Sequence, residues 1–381
     1  MSRLGPASRW CLVAGVTPRP ESSPSGDEFQ RELDVIVREG LASVAVRALV
    51  GRDDHQTASY LRTFRRVALS SEMRAMAADA AGSVVMAELA LRKIPAAVVK
   101  GPAVARLYPE GWPRPYADID VVVSRADYLD AIGCSQELGF AYSDRAVPQW
   151  RWFDQVCREG INLHSPSGGN IDFHHHVPPW VLGSHLPVEQ IIARSEPHQL
   201  CSARVEFAAA EDLVVVAALH ILNDLWKGKL GLTSWRDVMI ITQRIGLPRA
   251  RAAFDRAGLT WLFDLLIEEL ALEVPEVTFS APATSPALPF GPKIRLAALG
   301  WSNDASATRH RLAWATRLPP LNALAFLAGT AVPSAGYIHE RHGSYLNYWK
   351  QGLRETVSTV RGSDYRMTTI DDYDGPPADR V

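Results

Sequence analysis

The segment RPYADIDVVVS, residues 114–124, places two acids one residue apart at the start of a run of three valines. The valine run predicts a β-strand, although Asp is a poor strand residue and neighbouring carboxylates repel each other. Side chains alternate faces along a strand, so Asp118 and Asp120 share one face. Ile119 and Val121 then point into the core. Two carboxylates aimed in one direction suit a divalent cation that prefers oxygen ligands, Mg²⁺ or Mn²⁺.

A third acid occurs in a similar setting further along the chain. The segment GNIDFHHH places Asp172 between Ile171 and Phe173, so the acid and its two apolar neighbours are expected on opposite faces of a second strand. Three carboxylates on adjacent strands can hold two metal ions about 4 Å apart. In such a site one ion activates an attacking hydroxyl, and the other binds the phosphates of a nucleotide.

Three consecutive histidines follow Asp172. His174 and His176 share the strand face of Asp172, so His174 is placed to contact a substrate or to act as a base beside the acids. His175 is expected to pack or to be exposed. Direct metal ligation by the histidines is not favoured, because no cysteine ligand or HExxH spacing accompanies them.

Four elements occur in order in the segment IPAAVVKGPAVARLYPEGWPRPYADIDVVV. They are a strand ending in Lys100 and Gly101, a short helix, an Arg-Pro loop at Arg114, and the strand with the two acids. Together with LGF and IDFHHH, this order resembles the uncharacterised nucleotidyltransferases of the DNA polymerase β superfamily. The resemblance covers residues 77–243 and is weaker over ALHILNDLW and LTSWRDVMI.

The resemblance implies a nucleotidyltransferase fold and a metal-dependent attack on the α-phosphate of a nucleoside triphosphate, with release of pyrophosphate. Asp118, Asp120 and Asp172 would be the catalytic, metal-binding carboxylates. Gly101 would form the turn that approaches the phosphates closely.

One residue departs from the pattern of the wider superfamily. Pro102 follows the glycine where a serine usually binds phosphate, and proline offers neither a hydroxyl nor an N–H. Lys100 and Arg114 are therefore expected to supply the phosphate-binding cations. His220 and Asp237 lie in the weaker part of the resemblance, where they either line the substrate cleft or pair with each other.

Composition excludes some partners and locations. Lys and Arg total 40 against 42 Asp and Glu, so a nucleic-acid partner is not favoured. The four cysteines are scattered and the N-terminus does not resemble a signal peptide, which indicates the cytoplasm. The longest apolar segment, residues 320–333, is shorter than the ~20 residues that cross a bilayer, so a buried helix is expected and no membrane association.

The order of helical and strand patterns predicts an α/β (α+β) chain with a small mixed sheet. A helical region is expected over 1–92, with a helix capped by Asp27 and one or two long helices over 57–93. The nucleotidyltransferase core is expected over 93–200, and a helical region that binds the acceptor over 201–362. The acidic, proline-containing residues 363–381 are expected to be a disordered tail.

These features together predict an enzyme that moves a nucleoside monophosphate, AMP from ATP, onto a hydroxyl of a small molecule or a protein. The alternative is a degenerate nucleotidyltransferase fold that binds only a nucleotide or a partner. The missing serine favours the alternative, and the three acids oppose it.

Overall fold

A computed structural model describes residues 4–16, 24–49, 57–143, 149–158, 160–226, 230–274, 277, 320–350 and 353. The chain divides into two compact units. The first comprises Met1–Ala141 and Leu163–Leu288, and the second comprises Tyr142–Asn162 and Pro289–Val381. The tail expected at 363–381 lies outside the described residues.

Five helices open the first unit, as the sequence predicts. They are α1 (Pro6–Val13), α2 (Gly26–Arg31), α3 (Leu33–Arg38), α4 (Ala42–Leu49) and α5 (Thr57–Leu91). The predicted cap of α2 is wrong by two residues, because Ser25 is the N-cap and forms a reciprocal capping box with Glu28. The Glu32 carboxylate, between α2 and α3, accepts hydrogen bonds from the backbone N–H groups of Ala7 and Ser8 and so caps α1.

Helix α5 is a single helix of 35 residues that packs along the sheet of the first unit. No proline interrupts it, and its alanines and leucines favour a long helix. At Gly82 the helix approaches the sheet so closely that an added Cβ would overlap the side chain of Ile119. The helix therefore supports, from the apolar side, the strand that carries Asp118 and Asp120.

Seven strands among the described residues form one mixed sheet in the order β3-β4-β5-β2-β1-β7-β6. The strands β2 and β5 are parallel, as are β1 and β7, whereas β1 and β2 run antiparallel. The strand bounds are β1 (Ala96–Val98), β2 (Asp118–Val123), β3 (Ala141–Tyr142), β4 (Gly160–His164), β5 (Asn170–His174), β6 (Glu196–Leu200) and β7 (Ala203–Phe207). This sheet confirms the predicted α/β class.

Short helices connect the strands of the first unit. They are α6 (Pro102–Ala105), α7 (Tyr128–Glu137), α9 (Trp180–Gly183) and α10 (Val188–Ala193). Four helices follow β7, as predicted from the spacing of apolar residues: α11 (Ala210–Trp226), α12 (Leu232–Ile245), α13 (Leu247–Arg256) and α14 (Thr260–Glu273). Glu39 caps α12 from a distant part of the chain, since its Oε2 accepts a 2.9 Å hydrogen bond from the N–H of Gly231.

In the second unit, helix α8 (Arg151–Cys157) packs on helix α15 (Pro320–Ala331), and α16 (Ala335–His342) follows. Phe153 stacks on Phe326 with ring centroids 6.1 Å apart. The predicted helix at 320–333 is confirmed, but its predicted burial is wrong, since Leu321 is 80% exposed and Leu324 is 65% exposed. No helix in the described ranges is long and apolar enough to cross a membrane.

Candidate metal and nucleotide site

The parallel pairing of β2 and β5 brings the acids of the two strands together. Asp120 lies directly opposite Asp172 in the register, and Val122 lies opposite His174. Both strands alternate faces in step, so the polar side chains of both strands point to the same side of the sheet. The opposite side is apolar, with Ile119 and Ile171 fully buried.

Three side chains at this position form a potential metal-binding group. Asp120, Asp172 and His174 each offer a ligand atom, and these atoms lie within 4.8 Å of one another. The Nε2 atom of His174 lies 3.3 Å from Asp120 Oδ1 and 3.3 Å from Asp172 Oδ2. Asp118 is not part of this set, although it precedes Asp120 on the same face of β2.

One oxygen of Asp120 supports the assignment of a cation to this group. Asp120 Oδ2 is buried and accepts no hydrogen bond from the described part of the chain. The Nζ atom of Lys100 is 3.9 Å from this oxygen, beyond hydrogen-bond length. A buried oxygen without a donor is costly, and carboxylate oxygens are the ligands that Mg²⁺ and Mn²⁺ prefer. The residues therefore fit a divalent cation.

The two acids of β2 differ in their electrostatic environment. Burial and the adjacent charge of Asp120 raise the pKa of Asp118 to about 6. Burial also acts against ionisation of Asp120, but the charge of Lys100 and the contact with His174 outweigh it and hold the pKa of Asp120 well below its usual range. Asp120 is therefore a carboxylate at every physiological pH.

His174 carries the proton that balances these acids. Burial would lower its pKa, but the charge of Asp172 and the contacts with Asp120 and Asp172 raise the pKa well above its usual value. In contrast, burial and the neighbouring His175 lower the pKa of His176 to about 3, so that ring is neutral. Of the two histidines, only His174 contributes a positive charge to the acids.

Lys100 and Gly101 follow β1 and lie beside the acids. Burial would lower the pKa of Lys100, but Asp120 and Asp118 raise it, so the ammonium stays charged. Gly101 has φ +55° and ψ −120°, a conformation that side chains rarely adopt, and an added Cβ would lie 3.0 Å from the carbonyl oxygen of Asp118. Pro102 opens helix α6, where its missing N–H is not needed.

Arg114 lies near the acids but is held by a partner from helix α12. Its Nε and Nη2 atoms donate to Asp237 Oδ1 and Oδ2 at 2.9 and 2.7 Å. The hydroxyl of Tyr108 donates to Asp237 Oδ1 at 2.6 Å. The structure therefore shows Asp237 in a buried pair with Arg114, and a role of Asp237 or His220 in lining the substrate cleft stays a prediction.

Helix α11 supplies two further charged groups to this region. The charge of His220 is among the influences that lower the pKa of Asp120, and the charge of Asp224 is among those that raise the pKa of Lys100. The two residues are four positions apart, so they share one helical face. Sequence reasoning missed Asp224 and Tyr108. The i,i+4 spacing from His220 is a signal for Asp224, whereas no local pattern indicates Tyr108.

Comparisons with known proteins agree with this geometry. A search of curated proteins gave no match. The sequence profile of a family described as uncharacterised nucleotidyltransferases matches residues 25–267, well over half of the chain. The matched span includes the whole sheet, the acids of β2 and β5, and helices α11 to α13. The chain therefore belongs to this family of nucleotidyltransferases and is a transferase.

Proposed function

We propose that the protein is a metal-dependent nucleotidyltransferase that moves AMP from ATP onto a hydroxyl group of a small molecule or a protein. The observation that carries this proposal is the direct pairing of Asp120 with Asp172, beside a buried Asp120 oxygen that accepts no hydrogen bond in the described residues. The two paired strands hold these carboxylates together at a cost in repulsion, and a cation offsets that cost.

In this function, Asp118, Asp120 and Asp172 hold Mg²⁺ or Mn²⁺. The bound cation would neutralise charge on the phosphates and favour attack at the α-phosphorus. His174 lies 3.3 Å from two of these carboxylates, where its charge balances theirs in the metal-free protein, and its ring is proposed to contact the nucleotide. Lys100 and Arg114 bind the phosphate oxygens, and the side-chain-free turn at Gly101 lets the triphosphate approach the backbone.

We assign Asp172 as the carboxylate nearest to the attacking hydroxyl of the acceptor. Its side chain is 27% exposed, against 7% for Asp120, so an acceptor hydroxyl reaches Asp172 more easily. The hydroxyl oxygen forms a bond to the α-phosphorus, and the bond from that phosphorus to the bridging oxygen breaks. The proton of the hydroxyl passes to Asp172, and pyrophosphate leaves with the electrons of the broken bond.

The acceptor is proposed to bind against the helices that follow β7. Helix α11 contributes His220 and Asp224 near the acids, and α12 contributes Asp237. The near-zero net charge does not favour a nucleic acid as acceptor. The four cysteines form no disulfide, which fits a reducing cytoplasm as the location.

A second candidate function rests on Pro102. Since proline supplies no phosphate-binding hydroxyl or N–H at this position, the site would bind a nucleotide without transferring it. The two candidates differ in the product they predict. Transfer requires a nucleotidylated acceptor and pyrophosphate, whereas binding alone gives neither.

Mass spectrometry of candidate acceptors, incubated with each nucleoside triphosphate and Mg²⁺, tests the proposal. We expect an acceptor whose mass increases by one nucleoside monophosphate, with ATP as the preferred donor and equal release of pyrophosphate. Asp120→Asn should abolish the product. Binding of Mg·ATP without any product across broad panels of acceptors and triphosphates would favour the binding function.

A further inference from the structure

The guanidinium group of Arg114 has one occupied edge and one open edge. Asp237 binds the edge formed by Nε and Nη2 in a side-on, bidentate arrangement, with both side chains at most 3% exposed. Among the residues that the structure describes, Nη1 of Arg114 makes no hydrogen bond. The group is planar with five donors in a fixed fork, so the donors of Nη1 and the second N–H of Nη2 form the other edge.

The open edge is the type of surface that binds phosphate. Two parallel N–H groups of arginine match two oxygens of a phosphate, in the same geometry as the pairing with a carboxylate. Arg114 also lies within electrostatic range of the metal-binding acids: its charge partly opposes the rise in the pKa of Asp118 that burial and Asp120 cause, and the charge of Asp120 adds to the rise in the pKa of Arg114 that is due mainly to Asp237. The cation is therefore beside the site proposed for the nucleotide.

Asp237 is itself held in place from two sides. The hydroxyl of Tyr108 donates to its Oδ1 atom at 2.6 Å. The preceding residue, Arg236, is 1% exposed and donates from Nη1 to the carbonyl oxygens of Cys11 and Leu12 at 3.2 and 2.9 Å. The guanidinium carbon of Arg236 lies 5.5 Å from the centroid of the Tyr108 ring. These contacts fix both the position of α12 and the direction of the Asp237 carboxylate.

We propose that Asp237 and Tyr108 are positioning residues, which hold Arg114 by its Nε–Nη2 edge so that its Nη1–Nη2 edge binds the triphosphate of the nucleotide. This inference rests on the proposed function. It makes recognition of the triphosphate depend on the helical part of the chain, through a carboxylate that never contacts the nucleotide. The buried pair has a purely structural alternative, in which it only joins the loop before β2 to α12.

Calorimetric titration separates the two roles. Wild type, Tyr108→Phe, Asp237→Asn and Arg114→Lys are each titrated with Mg·ATP, with inorganic tripolyphosphate in the presence of Mg²⁺, and with adenosine. Tyr108→Phe keeps the ring beside Arg236 and removes only the hydroxyl. This substitution should lower the affinity for Mg·ATP and for tripolyphosphate by about threefold to tenfold. Arg114→Lys should lower both affinities by about tenfold or more. Binding of adenosine should not change.

Asp212→Asn is the matched control. Asp212 forms a similar bidentate pair with Arg194, at 3.0 and 2.8 Å. Its removal should change thermal stability without changing the ratio of Mg·ATP affinity to adenosine affinity. If Asp237→Asn fails to fold, Tyr108→Phe and Arg114→Lys still give the comparison.

Two results would count against the inference, and they differ from each other. In the first result, wild type binds Mg·ATP, and the folded Tyr108→Phe and Asp237→Asn variants bind it equally well. The proposed function would then stand, and the Arg114–Asp237 pair would have only a structural role. Wild type that binds neither Mg·ATP nor tripolyphosphate would remove the proposed function and the positioning role with it.

Discussion

His174 Nε2 lies 3.3 Å from Asp172 Oδ2, two residues earlier on the same strand. The same nitrogen lies 3.3 Å from Asp120 Oδ1, so one imidazolium lies between two carboxylates. The pKa of His174 is raised well above its usual value, mainly by the charge of Asp172 acting against burial. A divalent cation on these carboxylates would oppose that proton, because like charges repel and a coordinating imidazole must be neutral.

We therefore predict that Mn²⁺ or Mg²⁺ binding at pH 7 releases about one proton from His174. Calorimetry in buffers of different ionisation enthalpy measures this release as a change in apparent binding enthalpy. His174→Gln should bind the metal with much less proton release. An apparent enthalpy that is the same in every buffer would show that His174 keeps its proton.

The second prediction concerns Asp118, the proposed metal ligand that lies apart from the cluster of Asp120, Asp172 and His174. The pKa of Asp118 is about 6 in the folded protein, against about 3.9 in an unfolded chain. Because the folded pKa is the higher one, the protonated acid stabilises the fold below pH 4, and this contribution is lost as the pH rises through 6. In metal-free protein, Asp118→Asn should therefore be as stable as wild type near pH 4 and more stable at pH 7.

Thermal unfolding from pH 4 to 8 in the presence of a chelator measures this difference. Allowing for the partial exposure of Asp118, the gain at pH 7 should be on the order of 1–2 kcal/mol. Saturating Mg²⁺ should reverse the order, since only wild type retains the full set of acids. A difference in unfolding temperature that is constant with pH would mean that Asp118 has an ordinary pKa.

The third prediction tests the turn at Gly101. Alanine there would be strained at φ +55° and would place Cβ 3.0 Å from the carbonyl oxygen of Asp118, so Gly101→Ala should lose about 1–3 kcal/mol of stability and weaken Mg·ATP binding. Gly133→Ala is the control. It lies in helix α7 with nothing within 4 Å of an added Cβ and should gain about 0.5–1 kcal/mol. Urea unfolding of both variants and of wild type checks this. A Gly101→Ala variant as stable as wild type would show that the turn tolerates a side chain.

Local patterns were sufficient to predict the strands that carry the acids. The alternation around Asp120 and Asp172 has a period of two residues, so it can be read from a few positions on each strand. The hairpin of β6 and β7 has no such local signal. Its turn contains Cys201 at φ +49° and no glycine, and β7 joins the sheet through a parallel contact between Phe207 and Val98, which are far apart in sequence.

Long-range pairing also explains what was missed at the site. Arg114 and Asp237 are 123 residues apart, and no repeat or spacing connects them. The role of Arg114 as a phosphate-binding cation stays a prediction. Its hydrogen bonds to Asp237 depend on the fold, which packs α12 against the loop before β2. In the same way, the position of His174 between two acids depends on the register of β2 and β5.

The central claim is that the acids of β2 and β5 perform metal-dependent nucleotidyl transfer, and Asp172→Asn tests it most directly. Asp120 remains in place to hold the cation that accompanies the triphosphate, while the carboxylate nearest the attacking hydroxyl is removed. Nucleotide affinity and transfer are measured in the same variant, once an acceptor is known. We predict Mg·ATP affinity within a few-fold of wild type and turnover lower by at least about a hundredfold, because the lost interaction acts mainly in the transition state. Turnover equal to that of wild type would remove Asp172 from the site and contradict the assignment.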